Sequence, residues 1–108
     1  MIYTQRQLAE LIRPIAEKYH VPAVYLFGSY ARGEATELSD IDLLIDTAGT
    51  EIKSLLHLAA VGQDLETATG KRVDLITMDS LEQESNRPST IHFRESLKQD
   101  KIKLFPRD

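Results

Sequence analysis

At 108 residues, with 13 basic and 17 acidic side chains and a formal charge of −4, the chain suits one small domain around one core, spanning 1–108, and lacks the broad cationic face that extended DNA or RNA binding requires. The absence of cysteine excludes a disulfide framework, a thiolate nucleophile and a Cys-based zinc site. No apolar leader opens the sequence and no run approaches the roughly 18 apolar residues of a membrane span, so a cytoplasmic protein is expected.

The first segment, TQRQLAELIRPIAEKYH, carries Thr4 and, three residues on, Gln7, the pattern of a capping box. Leu8, Leu11, Ile12, Ile15, Ala16 and Tyr19 then recur at helical spacing, which predicts an amphipathic helix over 5–19. Pro14 lies inside it and removes one backbone hydrogen bond, so a kink or break is expected there. Val21-Pro22 ends the helix, and AVYLF reads as a short strand before Gly28.

IDLLI, 41–45, is the second strand. Its alternation puts Ile41, Leu43 and Ile45 on one face and Asp42, Leu44 and Asp46 on the other, with Asp40 extending the second set. Residues 51–67 show Ile52, Leu55, Leu56, Ala59, Ala60 and Leu65 near helical spacing, with Leu55, Leu56 and Ala59 expected in the core. Gly70 marks a turn, VDLIT over 73–77 reads as a third strand, and STIHFRESLKQ over 89–99 as a short helix. IKLF before Pro106 is a fourth, edge strand or a tail. This order predicts an α/β fold, a small mixed β-sheet flanked by helices.

Two elements carry chemistry. Asp40 and Asp42, two apart in extended backbone, leave the same face with Cα atoms roughly 7 Å apart. Carboxylates aimed at one point repel unless a proton or a cation neutralises them. If the strand holding Asp74 neighbours 41–45, Asp74 completes a three-carboxylate, oxygen-rich environment suited to Mg²⁺, able to hold two ions about 4 Å apart. Upstream, Gly28 directly after a strand permits a tight turn and close approach of a ligand to the backbone. Ser29 can begin a helical turn whose unpaired N–H groups, with its hydroxyl, can hold terminal phosphates. Arg32, one turn on, offers a forked donor to the same phosphates or a structural bond to the 34–40 loop. Neither the G-x-x-x-x-G-K-[ST] loop nor G-x-G-x-x-G is present.

Other polar residues have plainer readings. Asp46 sits at a strand end, where capping or solvation is expected. His20, His57 and His92 follow no zinc-ligand spacing, and Tyr30 is expected to pack. Arg72 can pair with a neighbouring acid or help a partner dock.

Taken together, Gly28-Ser29, Arg32-Gly33, Ser39-Asp40-Ile41-Asp42 and Arg72-Val73-Asp74 resemble the pattern of the minimal nucleotidyltransferase domain of the DNA polymerase beta superfamily. The resemblance implies the fold of that superfamily and transfer of a nucleoside monophosphate from a triphosphate to a hydroxyl with release of pyrophosphate. It further implies Mg²⁺ ligation by Asp40 and Asp42, with Asp74 positioning or deprotonating the acceptor and Gly28-Ser29 contacting the triphosphate. Small members of this kind resemble antitoxins that add AMP from ATP to a tyrosine of a partner HEPN ribonuclease toxin. Such a chain can assemble with its partner. The competing expectations are a nucleotidyltransferase acting on an RNA end or a small-molecule hydroxyl, and a non-catalytic antitoxin acting by contact.

Overall fold

The computed structural model describes residues 2–78 and 101–106. Helix α1, Gln5–Lys18, starts where the capping box predicts: the Thr4 N–H donates to Gln7 Oε1 (2.8 Å) and the Gln7 N–H donates to Thr4 Oγ1 (3.1 Å). It runs through Pro14 without a break. Pro14 and Glu10, whose carbonyl loses its partner, both lie on the exposed side, where the freed carbonyl is open to solvent. The buried stripe Leu8, Ala9, Ile12 and Ala16 is untouched. At the C-terminus His20 takes a positive φ of 57°, and the Val21 N–H reaches the Ala16 carbonyl (2.9 Å) while the His20 N–H reaches Glu17 (3.2 Å). This is the paired bonding of a Schellman end, with histidine where glycine is usual.

Strand β1, Ala23–Phe27, leads into a single helical turn, α2, Gly28–Ala31, and then to strand β2, Ile41–Asp46. Helix α3, Leu55–Thr69, crosses to strand β3, Val73–Thr77, and β4, Ile102–Phe105, closes the described chain. The sheet order is β3-β2-β1-β4, with β2 and β3 parallel and the other pairs antiparallel. A parallel pair needs a long crossover, which α3 supplies. The fold is therefore the small mixed α/β arrangement expected, and β4 is an edge strand paired with β1. The helix expected over 89–99 lies outside the described residues. Among the described residues no helix is long and apolar enough to cross a membrane.

The core forms where α1 and α3 cover one sheet face. Leu8, Ile12, Leu26, Ile41, Leu43, Ile45 and Val61 are each less than 2% exposed. At about 1.5–3 kcal/mol per fully buried large apolar side chain, this cluster is the main source of stability. The two helices are also joined by polar contacts: Tyr19 Oη and Lys18 Nζ both donate to Asp64 Oδ2, at 2.7 and 3.0 Å.

One expectation for α3 is corrected. The helix starts at Leu55, not 51, because Ser54 is its N-cap and accepts from the His57 N–H (3.2 Å). Its inward face is Leu58, Val61, Leu65 and Thr69, while Leu55 and Leu56 are 83% and 79% exposed and Ala59 is exposed too. The N-terminal half of α3 is apolar almost all round, so periodicity alone did not fix which side meets α1.

Candidate active site

Strand register decides which carboxylates meet. Asp42 pairs with Asp74 across the parallel β2–β3 ladder, and with Phe27 across the antiparallel β1–β2 ladder. One rung of the sheet therefore runs Phe27, Asp42, Asp74. With Val73 turned toward the core cluster, Asp74 stands exposed on the opposite face, the face that Asp42 shares. Asp40 lies two residues before Asp42, just ahead of the strand, and is half-buried.

Gly28 follows Phe27 and so starts the α2 turn directly beside this rung. Its φ is +73°, and a Cβ at that position would overlap the Asp42 carboxylate. Glycine is thus required twice over, for the left-handed backbone and for the space the acid occupies. The turn is tied back by the Arg32 N–H to the Gly28 carbonyl (3.1 Å) and the Glu34 N–H to the Ser29 carbonyl (2.9 Å). Ser29 is half-buried at the start of the turn. Arg32 is exposed, with Nε 3.4 Å from Glu34 Oε2, so the structural bond to the following loop is present. Its guanidinium charge also reaches Asp42.

The electrostatics of the rung are unbalanced. Burial pushes the Asp42 carboxyl up to about 6, and the neighbouring Asp74 carboxylate adds to this by its charge and by a hydrogen bond. Asp40 raises it further by charge, and Arg32 opposes. Asp42 and Asp74 thus form a close pair of acids on one rung. Asp40 lies within electrostatic reach of this pair. Among the described residues no group of three or more His, Asp or Glu side chains closes into a metal cage.

The remaining sequence candidates fall outside this rung. Asp46 accepts from the Ala48 N–H (3.0 Å) and caps the turn after β2. His20 ends α1, and His57 sits in the first turn of α3, where its Nδ1 accepts from the Lys53 N–H (3.4 Å). His92 is outside the described residues. Tyr30 packs in the core, 5% exposed, and its hydroxyl is buried with no hydrogen-bond partner among the described residues.

Two features were not anticipated. A cavity of about 790 Å³ lies at the opposite end of β2 and β3, lined by residues 47–55, Leu58 and Thr77. It gathers no pair of carboxylates, so chemistry and not volume locates the site. A second cleft, about 440 Å³, opens beside Asp40 between Leu38 and Arg72. Its position depends on the β2–β3 pairing, which no local pattern announces.

The profile of the family described as "Nucleotidyltransferase domain" matches residues 8–104. The chain belongs to the nucleotidyltransferase domain family. Among relatives of this nucleotidyltransferase, the protein adenylyltransferase MntA of Thermococcus cleftensis is 44% identical over 69 residues, covering 64% of this chain and 68% of its own. Two solved structures share the fold. A toxin-antitoxin crystal structure with AMP-PNP superposes with a TM-score of 0.68 at 23% identity, covering 90% of this nucleotidyltransferase and 72% of that chain. A complex of a tri-AMPylated Shewanella oneidensis HEPN toxin with its MNT antitoxin gives a TM-score of 0.63 at 20% identity, covering 94% and 72%. The architecture is accordingly that of a minimal, polymerase-beta-like nucleotidyltransferase.

Proposed function

We propose that this domain is a protein adenylyltransferase that moves AMP from ATP to a tyrosine hydroxyl of a HEPN-domain toxin and thereby neutralises it. The observation that carries the reading is the Asp42–Asp74 rung with Gly28 packed against it. The names of the relatives supply the substrate and partner classes: an adenylyltransferase in one case, AMP-PNP and an AMPylated HEPN toxin in the others.

The residues fit a divalent cation. The available donors are carboxylate oxygens only, which suits Mg²⁺, and the raised Asp42 carboxyl marks negative charge that nearby Arg32 does not fully offset. Asp40, Asp42 and Asp74 would hold Mg²⁺, which when bound supplies charge neutralisation for the phosphates.

The rest of the work falls to the chain. Gly28, with no side chain, lets a phosphate approach the backbone, and Ser29 Oγ donates to a phosphate oxygen. Arg32 places a planar cation on the same side, countering charge on the triphosphate. Asp74, exposed on β3, the outermost strand among the described residues, faces the incoming acceptor, orients its hydroxyl and takes its proton. As the acceptor oxygen bonds to the α-phosphorus, the α–β phosphoanhydride bond breaks and pyrophosphate leaves with the electron pair.

The test is label transfer from α-³²P-ATP to a purified HEPN partner in the presence of Mg²⁺, comparing wild type with Asp42→Asn and Asp74→Asn. Intact-mass analysis of the partner should show added AMP with wild type alone. Equal labelling by wild type and both variants would overturn the assignment.

A further inference from the structure

The β2–β3 ladder also fixes a residue that the proposed chemistry leaves unused. The Ile41 N–H donates to the Arg72 carbonyl at 2.9 Å, one step before Ile41 pairs with Val73 and Asp42 with Asp74. Arg72 and Asp74 are two apart and both exposed, with half-buried Val73 between them, so they leave the same face of β3. Across the sheet the order is then the Gly28–Ala31 turn after β1, Asp42 on β2, Asp74 on β3, the outermost strand among the described residues, and Arg72 one residue ahead of β3.

The cations divide accordingly. Arg32 stands on the nucleotide side, bonded to Glu34 and within electrostatic reach of Asp42. Lys71 is committed to the Glu37 carbonyl (3.1 Å). Arg72 is exposed, makes no ion pair among the described residues, and is not among the charges that act on Asp42. Among the described residues its side chain therefore neither bridges elements of the fold nor acts on Asp42. It lines one wall of the 440 Å³ cleft beside Asp40, and Leu38, 95% exposed, lines the same cleft. The cleft is also lined by Tyr3, Glu37, Asp40 and Lys71, and within it Leu38 and a guanidinium with no ion pair among the described residues suit an aromatic side chain with an anion next to it.

Resting on the adenylyltransfer reading, we infer that Arg72 is the acceptor-side specificity residue, binding an oxyanion that the acceptor carries beside the hydroxyl to be modified. Two sources supply that chemistry: the carboxylate of an acidic residue flanking the acceptor tyrosine, or the phosphodiester of an AMP already attached. Arg72→Gln removes the guanidinium's charge and fork, and Arg72→Lys keeps the charge without the fork.

The experiment measures steady-state AMP transfer from ATP by the full chain to three synthetic peptides. One has its tyrosine flanked by Glu, one by Gln, and the third is the Gln peptide with AMP already on its tyrosine. Wild type is expected to show an acceptor KM about tenfold lower for at least one anionic peptide than for the plain Gln peptide. Arg72→Gln should abolish that preference, and Arg72→Lys should restore part of it. ATP KM, kcat and the thermal midpoint should be unchanged by either substitution, since the side chain is exposed. Loss confined to the Glu peptide assigns the anion to a carboxylate, and loss confined to the AMP-bearing peptide assigns it to the phosphodiester. Unchanged acceptor KM for all three peptides in Arg72→Gln overturns the inference, as does a change in ATP KM in its place. If wild type transfers AMP to none of the peptides and not to an intact HEPN protein, the adenylyltransfer reading itself falls and the role of Arg72 falls with it.

Discussion

Asp42→Asn should make the metal-free domain more stable at neutral pH, even though it removes a residue of the proposed catalytic rung. The Asp42 carboxyl is raised from the ordinary 3.8 to about 6, with burial the leading cause and the Asp74 carboxylate next. In the unfolded chain the proton leaves near the ordinary value, whereas the folded domain holds it to higher pH. Between these limits the folded state binds more protons, so stability falls as pH rises from roughly 4 to 6 and the full penalty persists above. The rise corresponds to at most about 3 kcal/mol, and the partial exposure of the site reduces this through solvent screening to about 1 kcal/mol. Asparagine keeps the shape and removes the charge. Its melting midpoint at about pH 7 should therefore exceed that of wild type by roughly 4–8 °C. At about pH 4, where the wild-type carboxyl is protonated in the fold, the two should converge. The assay is circular dichroism or calorimetric melting in EDTA, without nucleotide, across this range. A variant no more stable than wild type at neutral pH, or a gain of equal size at both pH values, would refute the electrostatic account of the rung.

Other outcomes follow from the packing. Gly28→Ala introduces a left-handed strain of about 1–2 kcal/mol and a Cβ in the space of the Asp42 carboxylate. Urea titration should show a loss of about 2 kcal/mol or more, and nucleotide binding should weaken with it. Tyr30→Phe removes a buried hydroxyl with no partner among the described residues, and should raise stability by about 1 kcal/mol in the same titration. Leu65→Ala, in the core, should cost about 2–5 kcal/mol, whereas Leu55→Ala should stay within about 0.5 kcal/mol. Similar losses for both leucines would mean that the face of α3 is wrongly assigned.

Much of this was legible in the residues because the signals were local. The Thr4–Gln7 box placed the start of α1, alternation in IDLLID set the two faces of β2, and Gly28 after an apolar run marked a corner. What stayed hidden depends on partners far away in sequence. That β3 lies beside β2 follows from a crossover, so the meeting of Asp42 and Asp74 could only be conditional on it. The inward side of α3 is chosen by α1, and the Tyr19–Asp64 bond spans 45 positions. Pro14 does not end its helix, because its missing hydrogen bond falls on the exposed side.

The three-strand rung has one more implication, for quality control of the folded chain. Side chains alternate along a strand, so sliding β3 by a single residue against β2 would carry Asp74 inward and bring Val73 out. Such a misthreaded molecule forfeits core packing and the acid pair in the same step. A long-lived species that is well folded yet inert through faulty alignment is therefore not expected, and the specific activity of a preparation doubles as a measure of how much of it has reached the native ladder.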